Sequence, residues 1–147
     1  MKIGNREFDL KNHCYVMGIL NVTPDSFSDG GRWNQLDAAK KHTEDMIREG
    51  AAIIDIGGES TRPGYEKISD EEEISRVVPM IEMVKKEFGV PVSVDTYKRG
   101  VAEAALQAGA GLVNDIWGLK ADEKLAGVIA KYDDSCCLMT KRDKIEY

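Results

Sequence analysis

Ala52-Ile53-Ile54-Asp55-Ile56-Gly57-Gly58-Glu59-Ser60-Thr61-Arg62-Pro63-Gly64 decides the fold. Its first five residues are a short, nearly continuous apolar run, the pattern of a strand buried on both faces in a parallel sheet. The glycines and proline that follow forbid regular structure, so the run opens into a loop holding a hydroxyl pair and an arginine. Upstream, Val16-Met17-Gly18-Ile19-Leu20 ends in Asn21 and opens into the Gly- and Ser-rich loop Thr23 to Gly31. A helix is expected from about Asp37 to Glu49, with Gly50 as its stop.

Downstream, Ser69 with Glu72 has the spacing of a capping box. The acidic run Asp70 to Glu73 reads as a solvated, charged helix start suited to the positive helix end. Ile74, Val77, Val78, Ile81, Val84 and Phe88 give this second helix its apolar face. Three shorter units follow. Val90 to Val94 ends in Asp95, with a helix from about Lys98 to Ala108; Leu112-Val113 ends in Asn114-Asp115, with Asp122 capping a helix to about Lys131; Ser135 to Met139 makes a fifth strand. The first fourteen residues are expected to form a small hairpin closing one end of the sheet.

Strands alternating with helices make an α/β protein with a parallel sheet, either doubly wound or a barrel. Asn21, Asp55, Asp95, Asn114 and Thr140 are expected at the C-terminal ends of successive strands, where a (β/α)8 barrel gathers its site. No G-x-G-x-x-G loop follows a strand, which disfavours a dinucleotide fold. A full barrel takes about 250 residues. The expectation for these 147 residues is a partial TIM-type (β/α)8 barrel of about five β/α units, forming one domain over residues 1–147.

Composition bounds the rest. With 42% hydrophobic and 31% charged residues the chain can bury a modest core. The net charge of −6 disfavours an extended nucleic-acid footprint, which needs clustered cations. No apolar run approaches the ~20 residues that span a bilayer, and Met1-Lys2-Ile3-Gly4 runs into charged sequence, so a cytoplasmic address without membrane or nucleic-acid partners is expected. Cys14, Cys136 and Cys137 lack paired C-x-x-C spacing and are expected to be reduced and packed as small hydrophobes. His13 and His42 are expected to be solvated.

Gly18-Ile19-Leu20-Asn21-Val22-Thr23-Pro24-Asp25-Ser26-Phe27-Ser28-Asp29-Gly30-Gly31 resembles the first signature of dihydropteroate synthases, and Asp55 to Gly64 resembles the second. Ser93-Val94-Asp95-Thr96 and Val113-Asn114-Asp115-Ile116 are supporting matches, and the likeness runs from about residue 2 to residue 143. The resemblance implies a transferase of folate biosynthesis and a sulfonamide target. Such an enzyme joins a dihydropterin methyl pyrophosphate to p-aminobenzoate, releasing pyrophosphate and giving 7,8-dihydropteroate, usually with Mg²⁺.

It implies that Asp95 holds the pterin, with Asn114 beside it, Ile116 and Met139 against the ring and Asp55 on the far side. An ionised carboxylate suits that task, since it accepts paired N–H bonds and stabilises a cationic pterin. Asp95, Asp55 and Arg62 are then the catalytic candidates. Arg62 and Thr61 offer donors to the leaving group, Asn21 offers a carbonyl oxygen suited to Mg²⁺, and Thr61, Pro63, Phe27 and Ser28 are candidate p-aminobenzoate contacts. The long loops, about 22–35 and 58–69, are expected to act as lids over the substrates. Thr140-Lys141 stands where the family often carries His, and a family Asp, a Lys and an Arg-x-His pair have no counterpart. The lone chain is therefore expected to be incomplete for catalysis and, with open sheet edges, to self-associate, as a homodimer or otherwise. The alternative is a non-catalytic pterin-binding or self-associating barrel fragment.

Overall fold

The computed structural model describes residues 1–23, 32–60 and 66–140, with side chains throughout except at 32–34. A two-stranded antiparallel hairpin, β1 (Lys2–Ile3) and β2 (Arg6–Glu7), precedes a parallel sheet. The sheet consists of β3 (Val16–Asn21), β4 (Ala51–Gly57), β5 (Val92–Asp95), β6 (Leu112–Asp115) and β7 (Ser135–Leu138). Between them run α1 (Arg32–Arg48), α2 (Asp70–Glu87), α3 (Arg99–Gln107) and α4 (Leu125–Lys131).

The strands lie side by side in chain order, β3-β4-β5-β6-β7, and all pairings are parallel. A doubly wound sheet reverses its strand order at a switch point; an unreversed order is that of a (β/α)8 barrel. The expected partial barrel is therefore observed.

Alternation along the strands sorts the two faces. Leu20, Ile54, Ile56, Val92, Val94 and Val113 pack with Ala39, Val77, Ile81, Val84, Val101, Ala105 and Leu125 in the main core between sheet and helices. Each fully buried aliphatic side chain there contributes about 1.5–3 kcal/mol relative to exposure. The opposite face begins with a second, smaller core in which Ile3 and Phe8 of the hairpin region cover Ile53 and Leu112. The hairpin thus closes the N-terminal end of the sheet, as expected, and leaves the C-terminal end of that face to polar residues.

Gly111 sets how closely the hairpin seats: a Cβ there would lie 2.2 Å from the Gly4 nitrogen and 2.6 Å from its Cα. That neighbour is backbone and cannot turn away. Gly111→Ala is expected to cost about 1–3 kcal/mol through overpacking. A urea melt checks it, the midpoint falling while the slope is kept; an unchanged midpoint would show that the hairpin floats on the sheet.

Several element bounds differ from expectation. α1 starts at Arg32, directly after Gly31, because the residues before Asp37 carry no breaker once the glycine pair ends. The Ser69 Oγ accepts the Glu72 N–H at 3.2 Å, but the Glu72 carboxylate turns to Arg76, so only half of a capping box forms. Asp122 closes a turn, its Oδ1 accepting the Lys124 N–H at 3.0 Å, and α4 begins three residues later at Leu125.

The cysteine expectation is corrected. Cys14, Cys136 and Cys137 are free, but all three are exposed. Cys136 and Cys137 lie on β7, an edge strand, where no neighbouring strand among the described residues covers them. Val16 and Ile19 on the other edge strand, β3, are each 61% exposed, and Leu138 and Met139 are also open, so both sheet edges present apolar groups to solvent. No helix among the described residues is long and apolar enough to cross a membrane.

Candidate active site

Hydrogen-bond register brings one row of residues to the C-terminal edge of the sheet: Asn21 opposite Gly57, Gly57 opposite Asp95, and Asp95 opposite Asn114. One layer below on the same face, Asp55 lies opposite Ser93. Asp55 is therefore not at the strand end; Gly57 is. The absent side chain at Gly57 leaves a notch between two neighbours, since a Cβ there would lie 3.5 Å from Asn21 Oδ1 and 3.8 Å from Asp95 Oδ2. Thr140 lies two residues beyond the end of β7.

The Asn114 side-chain amide donates to Asp55 Oδ2 at 3.0 Å, tying the two layers together across β5. Asp55 is only 4% exposed, and its other oxygen and the Ser93 hydroxyl are buried without a hydrogen-bond partner. Burial pushes the Asp55 carboxyl above its ordinary range, opposed by the neighbouring Ser93 hydroxyl and by Asn114. Asp95, half-buried, rises further, to about 7: burial is the main cause, and the charges of Asp55, Glu73 and Asp115 add to it. Two carboxyls with raised pKa values, one at the strand end and one a layer below it on the same face, make this end of the sheet the candidate site.

Asp115, fully buried, points the other way and organises the next loop. Its Oδ1 accepts the Trp117 N–H at 2.8 Å and its Oδ2 the Leu119 N–H at 2.7 Å. The Met139 N–H donates to the Asp115 carbonyl at 3.1 Å, which brings β7's end beside the turn that carries half-buried Ile116. Ile116 and Met139 thus lie near the end of β6 that carries Asn114. Phe27, Ser28, Thr61, Arg62 and Pro63 lie outside the described residues, as do most of the two loops expected to act as lids. His13 and His42 are exposed.

Sequence reasoning missed a second polar cluster beside the rim. Glu73, expected to be solvated, is 1% exposed, and Glu59 is 9% exposed. Between them the Lys98 ammonium donates to Glu59 Oε2 at 2.7 Å, to Glu73 Oε2 at 2.8 Å and to the Ile68 carbonyl at 2.7 Å. Burial would raise Glu59, but Lys98, the Ile68 N–H and the Tyr97 hydroxyl outweigh it and hold the carboxyl below its usual value. For Glu73, deeper in the fold, burial wins and the carboxyl is raised despite Lys98. One signal was available: a lysine at the N-cap of α3 opposes the helix dipole and makes no side-chain cap, so it needed another purpose.

Chemically, the rim can take a flat ligand rich in N–H donors against Asp95 and Asn114, with an apolar wall from Ile116 and Met139. No group of three or more His, Cys, Asp or Glu among the described residues could hold a metal ion alone. Asn21 Oδ1, beside the Gly57 notch, is an amide oxygen, a ligand type that hard cations accept.

A sequentially ordered parallel sheet with ionisable groups at its C-terminal rim defines a ligand-binding segment of a TIM-type barrel. A family model described as pterin binding enzyme matches residues 17–146, and the chain belongs to that family. Dihydropteroate synthase of Clostridium beijerinckii is 62% identical over 147 residues, which is all of this chain and 55% of that protein. Among solved structures, dihydropteroate synthase from Clostridium difficile in the presence of pteroic acid matches with a TM-score of 0.89 and 53% identity, over 96% of this chain and 54% of that one. The Xanthomonas albilineans dihydropteroate synthase with 4-aminobenzoic acid gives 0.83 and 43%, over 92% and 50%. The chain spans about half the length of the curated relatives it matches.

Proposed function

We propose that this chain carries the pterin side of a dihydropteroate synthase, in which the amine of p-aminobenzoate displaces pyrophosphate from a dihydropterin methyl pyrophosphate to give 7,8-dihydropteroate. The observation that supports this reading best is the Asp95–Asn114–Asp55 row at the strand ends, with Asp95 poised near neutral pH.

In that reaction the C–O bond to pyrophosphate breaks as the amine nitrogen bonds to the same methylene carbon, and the amine loses a proton. Positive charge spreads over the pterin while negative charge grows on the departing pyrophosphate. Fixed charges aimed at both are the effective catalysts. Asp95, once ionised, accepts paired N–H bonds from the pterin ring and stabilises its cation. Asn114 adds a carbonyl acceptor while its amide group stays on Asp55, and Ile116 with Met139 covers the ring. Arg62 and Thr61 are assigned to pyrophosphate, and Pro63, Phe27 and Ser28 to p-aminobenzoate. Mg²⁺ would be held by Asn21 with substrate oxygens, and it supplies charge neutralisation for the leaving group.

Self-association of the chain belongs to this proposal, and a cytoplasmic location agrees with the free cysteines. A second reading, pterin binding without turnover, needs only the Asp95–Asn114 row at the strand ends.

The test is product formation by the purified chain with dihydropterin pyrophosphate, p-aminobenzoate and Mg²⁺, alongside pterin binding by fluorescence titration and Asp95→Ala as control. Turnover abolished by the substitution supports the enzyme. Pterin binding without turnover, lost in Asp95→Ala, supports the second reading. Absence of pterin binding by the folded native chain overturns both.

A further inference from the structure

We infer that Lys98 is a positioning residue that fixes both ends of the loop between Glu59 and Ile68 against the sheet rim. Glu59 lies two residues past β4, and Ile68 immediately precedes Ser69, the N-cap of α2. One ammonium reaches both: Lys98 Nζ donates to Glu59 Oε2 and to the Ile68 carbonyl, each at 2.7 Å. Its third donor goes to Glu73 Oε2 on α2 at 2.8 Å, so three acceptors from three segments match an ammonium's three donors.

The loop ends are also joined directly, since Glu59 Oε2 accepts the Ile68 N–H at 3.0 Å. Glu59 Oε1 is taken by the Tyr97 hydroxyl at 2.8 Å, and Arg76 holds the Gly58 carbonyl at 2.9 Å. Lys98 itself lies three residues after Asp95, with its backbone N–H on Thr96 Oγ1 at 3.2 Å. The loop's entry and exit are thereby referenced to the same strand end that carries the pterin carboxylate.

Stability alone is a poor account of this cluster. Burying one cation with two carboxylates carries a desolvation cost that apolar side chains of similar volume would avoid. What apolar packing cannot supply is a set of directed bonds that holds two chain ends at one point. The consequence for the reaction rests on the function proposed above; the clamp does not.

Glu59→Gln and Glu73→Gln separate positioning from stability, because each removes one carboxylate charge from the same ammonium while only Glu59 belongs to the loop. Hydrogen exchange of the Ile68 amide is measured in the folded native chain and both variants, together with the affinity for inorganic pyrophosphate in Mg²⁺. Glu59→Gln is expected to speed Ile68 exchange by about tenfold or more and to weaken pyrophosphate by about tenfold, with Glu73→Gln within about twofold of native on both. Equal acceleration in both variants, or none in Glu59→Gln, overturns the clamp. Faster Ile68 exchange with unchanged pyrophosphate affinity overturns its role in positioning. If the native chain binds no pyrophosphate, the functional reading fails on that arm, and the exchange arm alone decides the clamp.

Discussion

Asp95→Asn is expected to fold more stably than the native chain above neutral pH while losing the pterin contact proposed for it. In the folded chain Asp95 keeps its proton to about pH 7, against 3.8 for its ordinary value. Between those limits the folded state binds more protons than the unfolded one, so this group's contribution to stability falls as pH rises from about 4 to 7 and is most unfavourable above 7. Burial and the charges of Asp55, Glu73 and Asp115 are what the ionised form must overcome. A shift of that size corresponds to about 4 kcal/mol, reduced toward about 2 by solvent that reaches the half-buried carboxyl, and an amide, which never ionises, recovers it. Urea melts at pH 8 and pH 4 check this: the gain should be large at pH 8 and shrink toward zero at pH 4. An equal gain at both, or a loss at pH 8, would sink the electrostatic account. Pterin affinity should fall about a hundredfold in the same variant, because a carboxylate accepting two N–H bonds is replaced by a group offering one acceptor. In the native chain that affinity should also fall about tenfold per pH unit below 7, since binding then requires Asp95 to release its proton.

Lys98→Met is the substitution expected to do most harm to the fold. It leaves Glu59 and Glu73, 9% and 1% exposed, facing each other without a cation. Removing one partner of a buried ion cluster costs about 3–5 kcal/mol, a large part of a small domain's stability. Low pH should return part of the loss, because the stranded carboxyls can then be neutral. The triple variant with Glu59→Gln and Glu73→Gln should return most of the remainder. A midpoint for Lys98→Met within about 1 kcal/mol of native at neutral pH would show that water reaches the cluster and screens it. A single variant as stable at pH 8 as at pH 5 would contradict the assignment of the loss to unpaired charge.

The two substitutions act on one rim from opposite directions. Asp95 is a charge the fold tolerates at a cost, with no cation bonded to it among the described contacts, while Glu59 and Glu73 are charges the fold neutralises through Lys98. That contrast is the one the proposed roles require, a ligand carboxylate at Asp95 and a scaffold cluster around Lys98.

The chain's local patterns by themselves determined the parallel strand–helix alternation, the cap at Ser69, the hairpin and the strand-end positions of Asn21, Asp95 and Asn114. These are local properties: apolar runs, breakers and caps act within a few residues of where they are written. Family motifs named Asp95 and Asn114 in the same way, because their signal lies in contiguous residues. Only the tertiary structure decided which charged residues are buried and what they face. Glu73 reads as one more acid at a solvated helix start, and it is buried because Lys98, 25 residues on, reaches back to it. Cys136 and Cys137 read as core and are exposed, because β7 is an edge among the described strands and nothing in its own sequence says which strands flank it. Asp55 reads as a strand end and lies a layer deeper, bonded to Asn114 from 59 residues away. Burial and pKa are set by neighbours in space, and a sequence orders its neighbours only along the chain.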